Sequence, residues 1–313
     1  MKGTGLKDGF IAYISHLQEE ERYSTAKSYR DAWNSLVHYF NSEEISYEEI
    51  TKECLHHYEV YLTRRGCMRN TISTYMRRLR CIYNRAVDRG EAPYVPQHFS
   101  GVFTGIESRK KRSLPIDELH RLMTVPVTDK KLRDTQLAVC LMFQYGGMPF
   151  VDFAHLKGEN VRNNVLYYRR RKSGNSIRME LSKSAKRMQR ELSNRTLCSS
   201  CYLMPFLSGH KSGISAYLEY REALIRFNRN LRRLKSCAGI RSDVTSYSIR
   251  HSFANLLKDQ HVPIEKISEL LGHRSIRTTQ IYLRSFSLGE LSKVAESCFR
   301  KVYHYKCGKA ATW

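Results

Sequence analysis

A mainly α-helical chain with one small antiparallel β-sheet, an α+β fold in two domains, is what three features of the sequence predict. Apolar residues recur at steps of three and four through the first ninety positions, the period of a buried helical stripe. Pro93, Pro96, Gly101 and Gly105 then break that period, ahead of the basic run Arg109-Lys110-Lys111-Arg112. Residues 165–181 alternate around Ser173-Gly174-Asn175-Ser176, a turn-forming cluster, and read as a β-hairpin. The expected division is a helical domain over 1–105 and a larger domain over 106–313.

The elements follow in order. Phe10, Tyr13 and Leu17 form the first stripe. Tyr29, Trp33, Leu36 and Phe40 form the second, entered through Ser24 and Thr25, whose hydroxyls suit an N-cap. Leu55, Tyr58 and Leu62 form the third, ended at Gly66. Ile72, Tyr75, Leu79, Ile82 and Ala86 form the fourth, opened by Asn70 and Thr71 and stopped at Gly90. After the linker a new helix starts near Ser113-Leu114-Pro115. Further on, Leu224, Phe227, Leu231 and Leu234 make a buried stripe whose outer face carries Arg226, Arg229, Arg232 and Arg233. Leu291, Val294, Ala295 and Cys298 put an amphipathic helix over 288–303, and 309–313 reads as a frayed tail.

Composition narrows the function. No run approaches the ~20 apolar residues of a membrane helix, and no short apolar core marks a secretory signal, so the expectation is a cytoplasmic protein. Nine scattered cysteines then read as reduced thiols. Cys198 and Cys201 form a Cys-x-x-Cys pair, but only His210 stands near as a further ligand, so no metal is expected. The net charge of +23 asks for a polyanionic partner, nucleic acid first. Residues 1–100 hold 14 basic and 13 acidic side chains, which leaves 39 and 17 for the remainder. The second domain therefore carries nearly all of the surplus. In the first, the basic run Arg69, Arg77, Arg78, Arg80, Arg85 and Arg89 offers one face or end to phosphates, with Arg77, Arg78 and Arg80 as the expected contacts, and a basic linker at 109–112 suits a chain that wraps a duplex and releases counterions.

The chemistry lies between 245 and 282. Ser246-Tyr247-Ser248-Ile249-Arg250-His251 is followed by Leu270-Leu271-Gly272-His273-Arg274 and by Thr278-Thr279-Gln280-Ile281-Tyr282. This arrangement resembles the catalytic half of the tyrosine recombinases of the phage-integrase family. There an Arg sits in an Arg-His-x-Phe-Ala context, a His or Trp follows Leu-Gly, and the nucleophilic Tyr comes nine residues later. Arg250, His273 and Tyr282 match all three. The resemblance implies a C-shaped clamp on double-stranded DNA, made of a helical core-binding domain and a catalytic domain. It implies attack by Tyr282 on a backbone phosphate, a 3′-phosphotyrosyl link, a released 5′-hydroxyl, and no cofactor. It also implies a homotetramer on paired sites, a DNA-bending accessory protein as a further partner, and a bacterial, nucleoid-associated setting. The helix over 288–303 is then expected to pack on a neighbouring protomer or in cis.

The physics agrees. A phenol with pKa near ~10 is a weak nucleophile at neutral pH and needs cations and a proton acceptor. A phosphoryl transition state spreads charge over its free oxygens, so fixed Arg and His donors are the main resource. Lys172, in Arg171-Lys172-Ser173-Gly174, matches the family's hairpin lysine and its general-acid role. The flanking Arg169, Arg170 and Arg171 also read as a phosphate-binding ridge.

Two positions depart from the family. Pro149, in Gly147-Met148-Pro149-Phe150-Val151-Asp152, stands where the first Arg belongs, and Tyr247 stands where a His precedes Arg250 by three. A branch abundant in Bacteroidetes looks the same. Arg170, two residues before Lys172 and so on its face of a strand, is the expected substitute. Tyr247 is expected to donate or relay a proton, with a packed aromatic as the bland alternative. His251 reads as structural, and Asp152 as holding backbone or an Arg. A chain that starts at its core-binding helices favours an inverting or resolving recombinase over an arm-binding integrase. A DNA-binding regulator without catalysis and a type IB topoisomerase are the rival readings.

Overall fold

The computed structural model describes residues 5–107, 113–193 and 202–282. It divides into two compact units, Met1–Lys110 with His210–Arg221, and Lys111–Gly209 with Glu222–Trp313. The expected boundary at 105/106 falls just ahead of that division. The grouping of 210–221 with the first unit was not anticipated.

In the first unit, apolar spacing produces four helices: α1 (Leu6–Glu19), α2 (Tyr23–Phe40), α3 (Lys52–Arg64) and α4 (Arg69–Asp88). Their buried stripes meet in one core of Phe10, Leu17, Tyr29, Leu36, Tyr58, Leu62, Met76 and Ile82, among others. Tyr13, Phe40 and Tyr75 pack at its margin rather than inside it. Ser24 and Thr25 do not cap α2; the helix starts two residues earlier than their position implies, with Arg22 at the N-cap and no side-chain cap bond. α4 likewise starts at Arg69, before Asn70 and Thr71. Asn70 instead exchanges two hydrogen bonds with the backbone of Glu107, and Ser73 donates to the Gly105 carbonyl, so the Gly-rich exit strap is tied to α4.

In the second unit, α5 (Ile116–Thr124), α6 (Lys130–Gln144) and the short α7 (Phe150–Ala154) lead into a three-stranded antiparallel sheet. Its strands are β1 (Val161–Arg162), β2 (Val165–Arg169) and β3 (Ser176–Glu180). The hairpin was legible; the two-residue β1 was not. Register pairs Leu166 with Met179 and Tyr168 with Ile177, so one face is buried while Tyr167, Arg169 and Arg178 face out. Then come α8 (Lys183–Leu192), α9 (Gly213–Cys237), whose residues up to Arg221 group with the first unit, α10 (Ser246–Asp259), α11 (Ile264–Leu270) and α12 (Ile276–Tyr282). Phe227 of α9 stacks on Phe150 at 4.4 Å, and Ala223, Leu231 and Leu234 are buried beside it, with Leu224 only partly so. Leu271 and Ile267 pack with Ala254 of α10, which fixes the turn after α11 against that helix. Cys198, Cys201, the linker run at 109–112, the helix expected over 288–303 and the tail lie outside the described residues. No described helix is long and apolar enough to cross a membrane.

Candidate active site

The site grows from the turn between α11 and α12. Gly272 has a φ of +61°, and a Cβ there would lie 2.9 Å from both Arg170 Cδ and Ile177 Cδ1. Only glycine allows the hairpin to come that close. The Leu271 carbonyl, next to this bend, accepts hydrogen bonds from both Arg170 Nη1 and Arg250 Nη2. Arg250, almost fully buried on α10, also donates to the Gly147 carbonyl at 3.0 Å and to His273 Nε2 at 3.1 Å. Arg170 donates through Nε to Asp152 Oδ2 at 3.1 Å, an ion pair with side chains 5% and 1% exposed. The other oxygen of Asp152 accepts from Arg171 N at 2.9 Å, so one carboxylate holds both a backbone and an arginine, as expected of it.

His273 sits among these cations. Arginine only donates, so Nε2 accepts from Arg250, Nδ1 carries the ring proton, and that proton goes to Thr279 Oγ1 at 2.8 Å. Burial, then the charges of Arg250, Arg170 and Lys172, lower the pKa of His273 to about 4. Thr279 lies in α12, and Tyr282, one helical turn later, ends that helix. The side chain of Tyr282 lies outside the described residues.

Arg170, Arg250, His273 and, by its electrostatic reach, Lys172 are thus brought together. The expectation that Arg170 and Lys172 share a strand face is corrected. β2 ends at Arg169, and Arg171 to Ser173 form a turn, so strict alternation stops there. Arg170 points inward and Lys172 is exposed. Tyr247 is 40% exposed in the first turn of α10, 5.9 Å from the His251 ring, and so is not a core aromatic. Arg169 and Arg171 are exposed, with Arg169 Nε donating to the Gly174 carbonyl at 2.6 Å. In the first unit, Arg77, Arg78 and Arg80 do not form one face. Arg78 and Arg80 lie about 200° apart around α4. Arg78 lies over the Tyr29 ring at 4.8 Å and donates to Ser28, Arg77 reaches back to the Ser73 carbonyl, and Arg80 is exposed.

Sequence reasoning missed the Leu271 and Gly147 carbonyls, because any residue supplies a carbonyl. It also gave no role to Thr279 or Ser173, though both stood inside the quoted motifs. The glycines at 147 and 272 were the available signal, and both have positive φ in the fold. Among the described residues no group of three or more His, Cys, Asp or Glu side chains is placed to hold a metal.

Comparison with known proteins shows the family and the fold. The model of the phage integrase family matches residues 112–287, and that of the phage integrase SAM-like domain matches residues 6–99. The tyrosine recombinase XerC of Rickettsia canadensis is 25% identical over 308 residues, covering 90% of this chain and 93% of that protein. XerC of Rickettsia massiliae is 27% identical over 274 residues, 80% of this chain and 81% of its own. Among solved structures, the Tn1549 transposon integrase in complex with a circular intermediate DNA has a TM-score of 0.66 at 13% identity, over 94% of this chain and 99% of that one. A lambda integrase tetramer bound to a Holliday junction has a TM-score of 0.61 at 16% identity, over 87% and 78%. At those identities the two structures speak for the fold alone. Matched by the family model over more than half its length, the chain belongs to the phage integrase family, the tyrosine recombinases.

Proposed function

We propose that the chain is a site-specific recombinase that cuts and rejoins double-stranded DNA through a covalent bond between Tyr282 and a phosphate. The observation that carries this is the convergence of Arg170 and Arg250 on one carbonyl beside His273, on the turn that leads into the helix ending at Tyr282. Donors held in place before the substrate arrives cost no reorganisation when charge develops on phosphate oxygens. Burial first, and then the charges of Arg250, Arg170 and Lys172, depress the His273 imidazole, and cations gathered at one place are suited to an oxyanion.

The step then runs as follows. The phenolic oxygen of Tyr282 bonds to phosphorus as the bond from phosphorus to the 5′-oxygen breaks. Lys172 gives a proton to the leaving 5′-oxygen, and the phenolic proton leaves to water, relayed by the exposed hydroxyl of Tyr247. Arg250 and Arg170 bind the free oxygens, with Arg170 in place of the arginine absent at Pro149. His273 joins them by a change of tautomer. The Thr279 hydroxyl can donate as well as accept, so when it donates to Nδ1 the ring proton sits on Nε2, the Arg250 Nη2 bond to Nε2 is released, and both donors turn to the phosphate oxygens. Reversal on another strand needs no cofactor, because the phosphotyrosyl link keeps the bond energy. The likeness to a tetrameric integrase on a junction supports a homotetramer on paired sites, with DNA bending by an accessory protein as a further expectation.

The test traps the intermediate. Wild type and Tyr282→Phe are incubated with nicked duplexes carrying candidate sites and resolved under denaturing conditions. An adduct with wild type alone is expected. No adduct on any site the protein binds would leave a DNA-binding regulator in its place.

A further inference from the structure

Lys172 is exposed on a turn, and no hydrogen bond holds its own side chain among the described residues. Something else must set where its ammonium stands. The base of the turn is closed by Arg170 N to the Asn175 carbonyl at 2.8 Å and Gly174 N to the Arg170 carbonyl at 2.7 Å. Both bonds lie within the hairpin and say nothing about its distance from His273. Ser173 is different. Its hydroxyl donates to the Gly272 carbonyl at 3.0 Å, across 99 residues, beside the Leu271 carbonyl that takes the two arginines. Among the described residues it is the one side chain of the 171–174 turn that bonds to the turn between α11 and α12. Consecutive residues 271, 272 and 273 are thereby held by Arg170 with Arg250, by Ser173, and by Arg250 again.

We propose that Ser173 is a positioning residue: its bond to the Gly272 carbonyl seats the Lys172 turn on the His273 turn and so sets the reach of Lys172 to the 5′-oxygen. The proposal rests on the general-acid reading of Lys172. Ser173 touches no reacting atom. Its effect belongs to proton delivery, the step that frees the 5′-oxygen when the phosphorus–oxygen bond breaks. Without the bond, the four-carbon stem of Lys172 swings on an untethered turn, and fewer of its positions are productive.

The experiment separates proton delivery from everything else. Cleavage is followed on a full-length protein with two duplexes, one natural and one with sulfur at the 5′ bridging position of the scissile phosphate. A thiolate leaves without a proton. For Ser173→Ala the expected result is roughly tenfold slower cleavage of the natural ester, unchanged DNA affinity, and a rate within twofold of wild type on the sulfur ester. Ser173→Thr, which keeps the hydroxyl, should stay close to wild type on both. Ser173→Ala as fast as wild type on the natural ester overturns the proposal, and so does equal slowing on both esters, which would locate the loss elsewhere in the site. Lys172→Ala reports on the underlying reading. If it too is slow on the sulfur ester, Lys172 is not the acid and the role of Ser173 falls with it.

Discussion

Asp152 and Arg170 form a buried ion pair whose cost is high and whose use is therefore worth asking about. Two charges taken out of water recover their desolvation only when geometry is good and the remaining polar atoms are bonded. Here the second carboxylate oxygen is bonded by Arg171 N, and the guanidinium by Leu271. Asp152→Ala should lose about 3–5 kcal/mol in urea unfolding, because it leaves Arg170 buried and unbalanced. The double variant Asp152→Leu with Arg170→Met should regain much of that stability yet stay on the order of a hundredfold slow in cleavage. Regained activity would show that Arg170 serves the fold alone. His273 makes a second prediction, with a defined sign. Its pKa of about 4 lies below the ordinary 6.5, so the folded state holds the ring neutral. As pH falls from about 6.5 to about 4 the unfolded chain takes up a proton that the folded chain refuses, and stability declines across that window and levels off below it. His273→Gln should remove this part of the slope in melts run from pH 7 to pH 4. An unchanged slope would mean that the ring titrates normally. Arg250 and His273 are proposed from motifs that resemble the family's, and the fold brings the two side chains within 3.1 Å of each other. The burial of Arg170 was not legible, since it depends on where β2 stops and on a carboxylate eighteen residues earlier.

The hairpin and the α11–α12 turn act as two interlocked elements, and their glycines differ in what they permit. Gly272 and Gly174 both have positive φ, +61° and +73°. An alanine at either meets a left-handed backbone cost of about 1–2 kcal/mol. At Gly174 the nearest atom to the new Cβ is the end of the flexible Arg274 side chain at 3.3 Å, which can move aside. At Gly272 it is the anchored stem of Arg170 and the Ile177 methyl, each at 2.9 Å. Gly272→Ala should therefore abolish covalent adduct formation, while Gly174→Ala lowers the melting temperature slightly and keeps the adduct. Similar activity in the two variants would refute the interlock. The hairpin itself was legible from alternation and its Ser-Gly-Asn-Ser turn. The helix starts were read less well, because Ser24, Thr25, Asn70 and Thr71 look like caps but lie inside the helices, past the N-caps Arg22 and Met68. Asn70 and Ser73 bond the strap at 105–107, a tertiary use that no local signal announces.

At the scale of the whole molecule the charge is the dominant fact, and its placement decides what it does. The break at Pro93 to Gly105 lies a few residues ahead of the division between the two compact units, but nothing in the sequence set 210–221 apart, because α9 runs from Gly213 to Cys237 without a Gly or Pro inside it. A surplus of +23 gives affinity for any duplex, and that affinity comes from released counterions, so it weakens as salt rises. Each phosphate contact adds roughly 0.9 to the slope of log affinity against log salt. Arg169 and Arg171 are exposed at the hairpin, one at the end of β2 and one in the turn, and neither side chain is tied into the Asp152 pair. Replacing both with Ala should lower the salt slope by about 2 and weaken specific and nonspecific duplexes alike, since phosphate contacts carry no sequence information. Neutralising Arg78, which lies over Tyr29 and bonds Ser28, should change the slope less than neutralising the exposed Arg80. Fluorescence anisotropy from 50 to 300 mM salt measures all three. A slope left unchanged by the Arg169 and Arg171 substitutions would mean that this hairpin meets the DNA only through Lys172 and the buried arginines, and that the surplus charge works at a distance, by steering.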